Sequence, residues 1–138
     1  MPYLPMPFPA PGMPLETQGF WDGCKRHELV IQRCTECGWY RHFPRPTCPK
    51  CRSFSYEWTR MSGKGRVDYF TIVRRPLFPG MPVPYNIVHV RLPEQEDIVL
   101  LGNLIDSEPE EIHVGMPVEM TFEDINPDFT MYYWKKAA

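Results

Sequence analysis

The spacing of apolar positions changes along the chain, and the changes mark its parts. Over residues 17–28, Phe20, Trp21 and Cys24 recur at helical spacing and predict a short helix with Thr17 as its N-cap. Gly19 and Gly23 within it lower its intrinsic propensity. Residues 29–32 predict a short strand running into Cys34, and residues 54–60 a return strand. Ser62-Gly63-Lys64-Gly65 reads as a turn, after which the period becomes two. Val67, Tyr69, Thr71 and Val73 alternate with Asp68, Phe70, Ile72 and Arg74, so the first set is expected on one face of a strand. A proline-rich loop follows over residues 76–84. Further strands are expected over residues 86–92, 98–105, 117–123 and 129–134, with one helical turn capped by Ser107 over residues 107–112. Five strands with a helical turn between the third and fourth fit a small closed Greek-key barrel, of which the OB-fold is the commonest.

Between the first strand and its return stand Cys34-Thr35-Glu36-Cys37 and Cys48-Pro49-Lys50-Cys51, ten residues apart. Two cysteines with two intervening residues form a tight knuckle whose backbone N–H groups point at sulfur. Two knuckles make a tetrahedral site of four thiolates, which suits one zinc ion. Gly38 follows the first knuckle, where a positive φ is often required. A site closed by four cysteines leaves no position for water, so the zinc is expected to be structural. Iron in a rubredoxin-type site is the alternative, and the short link between the knuckles favours zinc. Cys24, the fifth cysteine, reads as a small buried apolar residue rather than a reactive thiol.

Seventeen prolines among 138 residues disfavour long helices, and six of them lie in residues 1–14. That segment reads as an extended, polyproline-like arm whose Tyr3, Leu4, Met6 and Phe8 offer docking groups. It lacks the basic start and helical apolar core of a signal peptide, and no run is long and apolar enough to span a membrane, so a cytoplasmic location is expected. In a reducing cytosol, paired cysteines are metal ligands more often than disulfides.

Charge is uneven: residues 24–75 carry a net +8 and residues 76–138 a net −8. Such polarity suits an anionic ligand or a charged partner, and equally mutual attraction of the two halves. Lys64 and Arg66 flank Gly65 in the glycine turn and are candidate anion ligands, as are Arg45, Arg41 and Arg60. Tyr69, Phe70, Tyr132, Tyr133 and Trp134 could stack nucleobases, which makes a single-stranded nucleic-acid binder the alternative function. The acidic second half opposes it. His27, His42, His89 and His113 are scattered, and no Ser/His/Asp or Cys/His spacing suggests catalysis. A stand-alone thioesterase would need a base or nucleophile, for which Cys24 and His89 are the only candidates to test.

The order of features resembles a known family. The helix with Phe20-Trp21 leads to Leu29-Val30-Ile31-Gln32-Arg33-Cys34, then Cys37-Gly38, Phe43-Pro44-Arg45, Cys48-Pro49-Lys50-Cys51 and Trp58. Ser62-Gly63-Lys64-Gly65-Arg66-Val67, Pro84-Tyr85, and Ile112-His113-Val114-Gly115-Met116-Pro117-Val118 to Phe122-Glu123 complete it. Over residues 17–125 this is similar to the acyl-CoA-associated, rubredoxin-like zinc ribbon plus OB-fold family, domain of unknown function 35. Its members are small partner subunits of thiolase-like enzymes and aldolases.

The resemblance implies a mainly β chain: a proline-rich arm (1–16), a helix plus zinc ribbon (17–61) and an OB-fold barrel with a C-terminal tail (62–138). It also implies zinc at Cys34, Cys37, Cys48 and Cys51. The function it implies is a non-catalytic accessory subunit of a thiolase or aldolase complex. Such a subunit supports assembly, and an acyl-CoA thioester sits at or near the interface. Phe8, Trp21, Tyr133 and Trp134 are the expected partner-binding residues, because aromatics are enriched in interface cores.

Overall fold

The computed structural model describes residues 15–137. A 3₁₀ turn, Leu15–Thr17, opens directly into helix α1, Gln18–Lys25. Thr17 occupies the N-cap position, as expected, but it is helical (φ −92°, ψ −5°) and makes no side-chain cap bond. The preceding turn already winds the backbone, so Thr17 is not in the extended conformation from which a cap side chain reaches back. The helix ends where His27 enters the left-handed region (φ 59°) and the Glu28 N–H bonds the Gly23 carbonyl.

Strands β1 (Val30–Cys34), β2 (Tyr40–Arg41) and β3 (Tyr56–Arg60) form an antiparallel sheet in the order β2-β1-β3. The barrel follows with β4 (Lys64–Val73), β5 (Tyr85–Arg91), β6 (Val99–Gly102), β7 (Pro117–Asn126) and β8 (Phe129–Lys136), ordered β6-β5-β4-β7-β8. The expected helical turn is a shorter 3₁₀ turn, Pro109–Glu111, between β6 and β7, and its N-cap is Glu108 rather than Ser107, with the Glu111 side chain accepting the Glu108 N–H. Past β6 the chain meets β8 at a parallel bridge between Leu104 and Trp134. The Ile105 N–H donates to the Trp134 carbonyl, and the Trp134 N–H to the Asn103 carbonyl, both at 2.9 Å. This bridge brings the two edges of the five-stranded sheet together, making it nearly a closed barrel. The fold is the expected mainly β arrangement with one short helix.

One register differs from the expected alternation. A bulge between Val67 and Tyr69 puts an extra residue, Asp68, into β4 opposite β5. Val67 therefore points into the core. Beyond the bulge it is Phe70 and Ile72 that pack inward, while Tyr69 and Thr71 are exposed. A period-two pattern cannot reveal such an insertion, because the register belongs to the pairing and not to one strand.

One apolar core runs through helix, ribbon and barrel. Phe20 and Cys24 of α1 and Ile31 of β1 join Val67, Val88, Val90, Leu100, Leu104, Val118 and Trp134 in a single cluster. Met61, on the link between ribbon and barrel, is buried in it too. No helix among the described residues is long and apolar enough to cross a membrane.

Candidate metal centre and apolar groove

The knuckles bring Cys34, Cys37, Cys48 and Cys51 together, all four sulfurs lying within 4.8 Å of one another. Cys34 and Cys51 stand 3.5 Å apart, and Cys37 and Cys48 3.6 Å. A zinc ion with bonds of ~2.3 Å in tetrahedral geometry separates its sulfurs by ~3.8 Å, so the cage has the right size. The Cys37 N–H points at Cys34 Sγ, and the Lys50 and Cys51 N–H groups at Cys48 Sγ, at 3.4–3.5 Å. Gly38 has φ +80°, the conformation expected after the first knuckle.

The thiols are unequal. The Cys37 N–H, outweighing burial, lowers the Cys34 thiol. Burial raises Cys48, but the N–H groups of Cys51 and Lys50 outweigh it and bring the thiol down to about 6. For Cys51 a hydrogen bond from Ser53 lowers the thiol, but burial and three neighbouring sulfurs push it up to about 12. Four thiolates at this separation repel one another, and a bound cation is what lets them coexist.

Arg41, a candidate anion ligand by sequence, is instead buried at 2% exposure. Its Nε donates to the Gln32 side-chain oxygen at 3.2 Å, and its guanidinium lies 4.8 Å from the Tyr56 ring centroid. The same Gln32 oxygen accepts the Arg45 N–H at 2.9 Å, which ties the link between the knuckles back to β1.

That link also walls an apolar groove of about 480 Å³ between helix, ribbon and barrel. Phe20, Trp21, Phe43, Pro44, Leu101 and Tyr132 line it, together with Thr17 and Val99. Phe43 is 61% and Leu101 51% exposed, so the groove presents large apolar surface. His42 is in its wall, and burial lowers its imidazole to about 4, keeping it neutral. The Tyr132 hydroxyl donates to the Leu101 carbonyl, and burial raises it above the usual phenol range. Trp21, expected as a partner contact, and Tyr132, expected as an exposed aromatic, both line this groove, and residues 42–44 and 99–101 reach it from distant segments.

Lys64 and Arg66 line a second groove, of about 470 Å³, and Arg91 joins them there. Arg66 donates to the Gly115 carbonyl at 2.9 Å, and Arg91 pairs with Asp68 at 2.8 Å and also bonds the Glu96 carbonyl. The hydrogen bond from Arg91 holds the Asp68 carboxyl below its usual range. Arg45 does not line this groove: it follows Pro44 in the ribbon.

The remaining expectations divide. Phe8 lies outside the described residues. Tyr133 (5% exposed) and Trp134 (0%) were expected to offer partner surface but are core residues. The physical reason is closure, because Trp134 carries the bridge that joins β8 to the far edge of the sheet. Tyr69 remains exposed and stacks on His89 with ring centroids 3.7 Å apart. Cys24 is fully buried, and burial pushes its thiol up to about 12, as suits a packing residue. His27 and the Thr130 hydroxyl both bond the same Asp124 oxygen, at 3.0 and 2.7 Å. With the carboxylate in the middle, the hydroxyl faces an acceptor and not the imidazole, so His27 cannot take its proton.

Comparison with known proteins places both halves. The model of the ChsH2 rubredoxin-like zinc ribbon domain matches residues 21–57, and that of the ChsH2 C-terminal OB-fold domain matches residues 58–123. The 3-oxo-4,17-pregnadiene-20-carboxyl-CoA hydratase alpha subunit of Mycobacterium tuberculosis is 38% identical over 125 residues, or 91% of this chain and 39% of that one. A DUF35 domain-containing scaffold protein of Pyrococcus furiosus is 38% identical over 117 residues, 83% of each chain. The solved structure of an Ltp2-ChsH2(DUF35) aldolase superposes with a TM-score of 0.84 at 31% identity, covering 94% of this chain and 100% of that chain. The chain spans about two fifths of the length of the hydratase alpha subunits it matches.

Proposed function

The chain belongs to the ChsH2 (DUF35) family of rubredoxin-like zinc ribbon plus OB-fold proteins, and from that premise we propose that it is a non-catalytic accessory subunit of a thiolase-like acyl-CoA enzyme. The observation that carries this reading is the likeness, over nearly the whole chain, to the ChsH2 (DUF35) chain of an aldolase. The names of the hydratase alpha subunits support an acyl-CoA setting.

In this reading Cys34, Cys37, Cys48 and Cys51 hold one structural zinc ion. With four thiolates around it the metal has no open position, and what it supplies is folding energy. The division into helix plus ribbon (17–61) and barrel with tail (62–138) follows the same reading. Lys64 and Arg66, with Arg91 beside them, form a cationic edge suited to the phosphates of a CoA thioester, and Arg45 adds charge on the ribbon. The exposed aromatic groove, with Trp21 in it, is the surface suited to contact with the enzyme subunit. The thiolase-like partner supplies the catalytic groups, and the acyl-CoA lies at or near the interface. Free thiolate ligands suit a reducing cytoplasm.

The test is co-purification of the untagged native protein. A stoichiometric thiolase-like companion and one zinc per chain are the expected result. A clean monomer without such a companion refutes the reading.

A further inference from the structure

A charged side chain removed from water needs an opposite charge close by. Arg41 is 2% exposed, and its Nη1 and Nη2 are buried without a hydrogen-bond partner among the described residues. Only Nε is satisfied, by the neutral side-chain oxygen of Gln32, while the Tyr56 ring offers its face. Nε2 of Gln32 is another buried donor without a partner. The neighbourhood holds one full positive charge and a surplus of donors, and no carboxylate bonds the guanidinium.

The strand register shows what can balance that charge. Gln32 of β1 pairs with Arg41 on one side and with Trp58 on the other, and Cys34 pairs with Tyr56. The β1–β3 ladder runs without a shift, so Gln32, Cys34, Trp58 and Tyr56 stand on one face of the sheet. Arg41, opposite Gln32, shares that face. Its Nε bonds Gln32 and its guanidinium carbon reaches over the Tyr56 ring. The side chain therefore crosses β1 between Gln32 and Cys34, positions ~7 Å apart along the strand. The link between the knuckles closes over the same place, since the Arg45 N–H bonds the same Gln32 oxygen.

We infer that Arg41 is the internal counter-charge of the four-thiolate metal centre and biases it toward a divalent ion. Four thiolates around a divalent ion are doubly negative, and around a trivalent ion singly negative. A fixed cation stabilises the first more than the second. At a separation of ~7 Å and an effective dielectric of ~20, one further charge shifts that balance by roughly tenfold or more. Arg33 and Lys50 are exposed, so water and salt screen their charges, and the burial of Arg41 is what sets it apart. The inference rests on the proposed metal at the four cysteines and is independent of the accessory-subunit role.

The full chain reconstituted with iron reads the bias as its Fe(III)/Fe(II) midpoint potential, followed by the ferric thiolate absorption. Arg41→Met removes the charge at similar length, and Arg41→Lys keeps it. A tenfold shift toward the ferric form is expected in Arg41→Met, a midpoint ~59 mV more negative for this one-electron couple, with Arg41→Lys close to the parent. Should Arg41→Met fail to fold, Arg41→Gln gives the same neutral comparison. A midpoint unmoved in the neutral variant, or lowered equally in Arg41→Lys, overturns the inference. In competition with a chelator, the neutral variant should also release zinc ~10–100-fold more readily than the parent. Zinc held as tightly as in the parent overturns the inference too. A parent chain that takes up neither zinc nor iron refutes the four-cysteine site itself, and this inference with it.

Discussion

The position of α1 on the ribbon depends on an absent atom. A Cβ built on Gly19 lies 2.1 Å from Trp58 Cε2, 2.2 Å from Nε1 and 2.6 Å from Cζ2. Carbon contacts settle at ~3.5 Å or more, so in Gly19→Ala the indole must retreat by roughly 1.4 Å. It has little room to do so. Trp58 pairs with Gln32 across β1 and β3, packs against the common core and stands edge-on to Tyr56 at 5.9 Å. Overpacking of this kind costs ~2–3 kcal/mol, while alanine gains ~1 kcal/mol over glycine in helix propensity. The net expectation is a loss of ~1–2 kcal/mol, or a drop in Tm of roughly 3–8 °C for a domain of this size. Urea unfolding of the zinc-loaded protein reads it as a lower midpoint at unchanged slope. The sign decides, because propensity alone predicts stabilisation. A Gly19→Ala protein as stable as the parent refutes the packing argument. So does an additive double mutant, since in G19A/W58L the obstructing ring is gone and the alanine should cost nothing further.

Other consequences are as direct. Cys34→Ser should lose zinc and melt the ribbon, with the barrel partly retained; elemental analysis showing one zinc per chain would contradict this. Trp134→Ala should cost ~3–5 kcal/mol in urea unfolding, as loss of a fully buried indole that bridges the barrel edges, and a cost below ~1 kcal/mol would return Trp134 to the surface. The His42 imidazole should titrate near 4 by NMR. Because its folded value is depressed below ~6.5, its contribution, on the order of 3 kcal/mol, is present above that pH and is lost as pH falls from there through 4. A midpoint near 6.5 would mean that the groove wall is open to water.

Features set by a few neighbouring residues were legible in the sequence. The knuckles are local, so Cys34, Cys37, Cys48 and Cys51 and the turn at Gly38 could be read directly. The barrel strands were legible as period-two runs, though β8 extends to Lys136, beyond the aromatic stretch that signalled it. What failed depended on a distant partner. The Asp68 bulge is a property of the β4–β5 ladder. Tyr133 and Trp134 looked like surface because a terminal aromatic run resembles a docking motif. The bridge from Leu104, thirty residues upstream, is what buries the indole. Arg41 looked like a free cation because nothing in its surroundings announces that Gln32 and Tyr56 enclose it. Strand β2, at two residues, is too short to show any period.

The metal centre and the groove are mechanically one unit. Phe43 and Pro44 belong to the ten residues between the knuckles, and that link is fixed at its ends by Cys37 and Cys48 and at Arg45 by Gln32. Trp21 and Phe20 reach the same groove from α1, whose seat is the Trp58 ring on the return strand of the ribbon. Leu101 and Tyr132 come from the barrel, which closes without any sulfur ligand. Removal of the proposed zinc is therefore expected to leave the barrel wall of the groove and to disorder the other two. A closed four-cysteine site supplies no reactive position, yet it sets the shape of the surface that a partner would meet. The proposed accessory role predicts that the activity of the co-purified complex falls with the zinc content of this chain, and activity unchanged after zinc removal would refute that link.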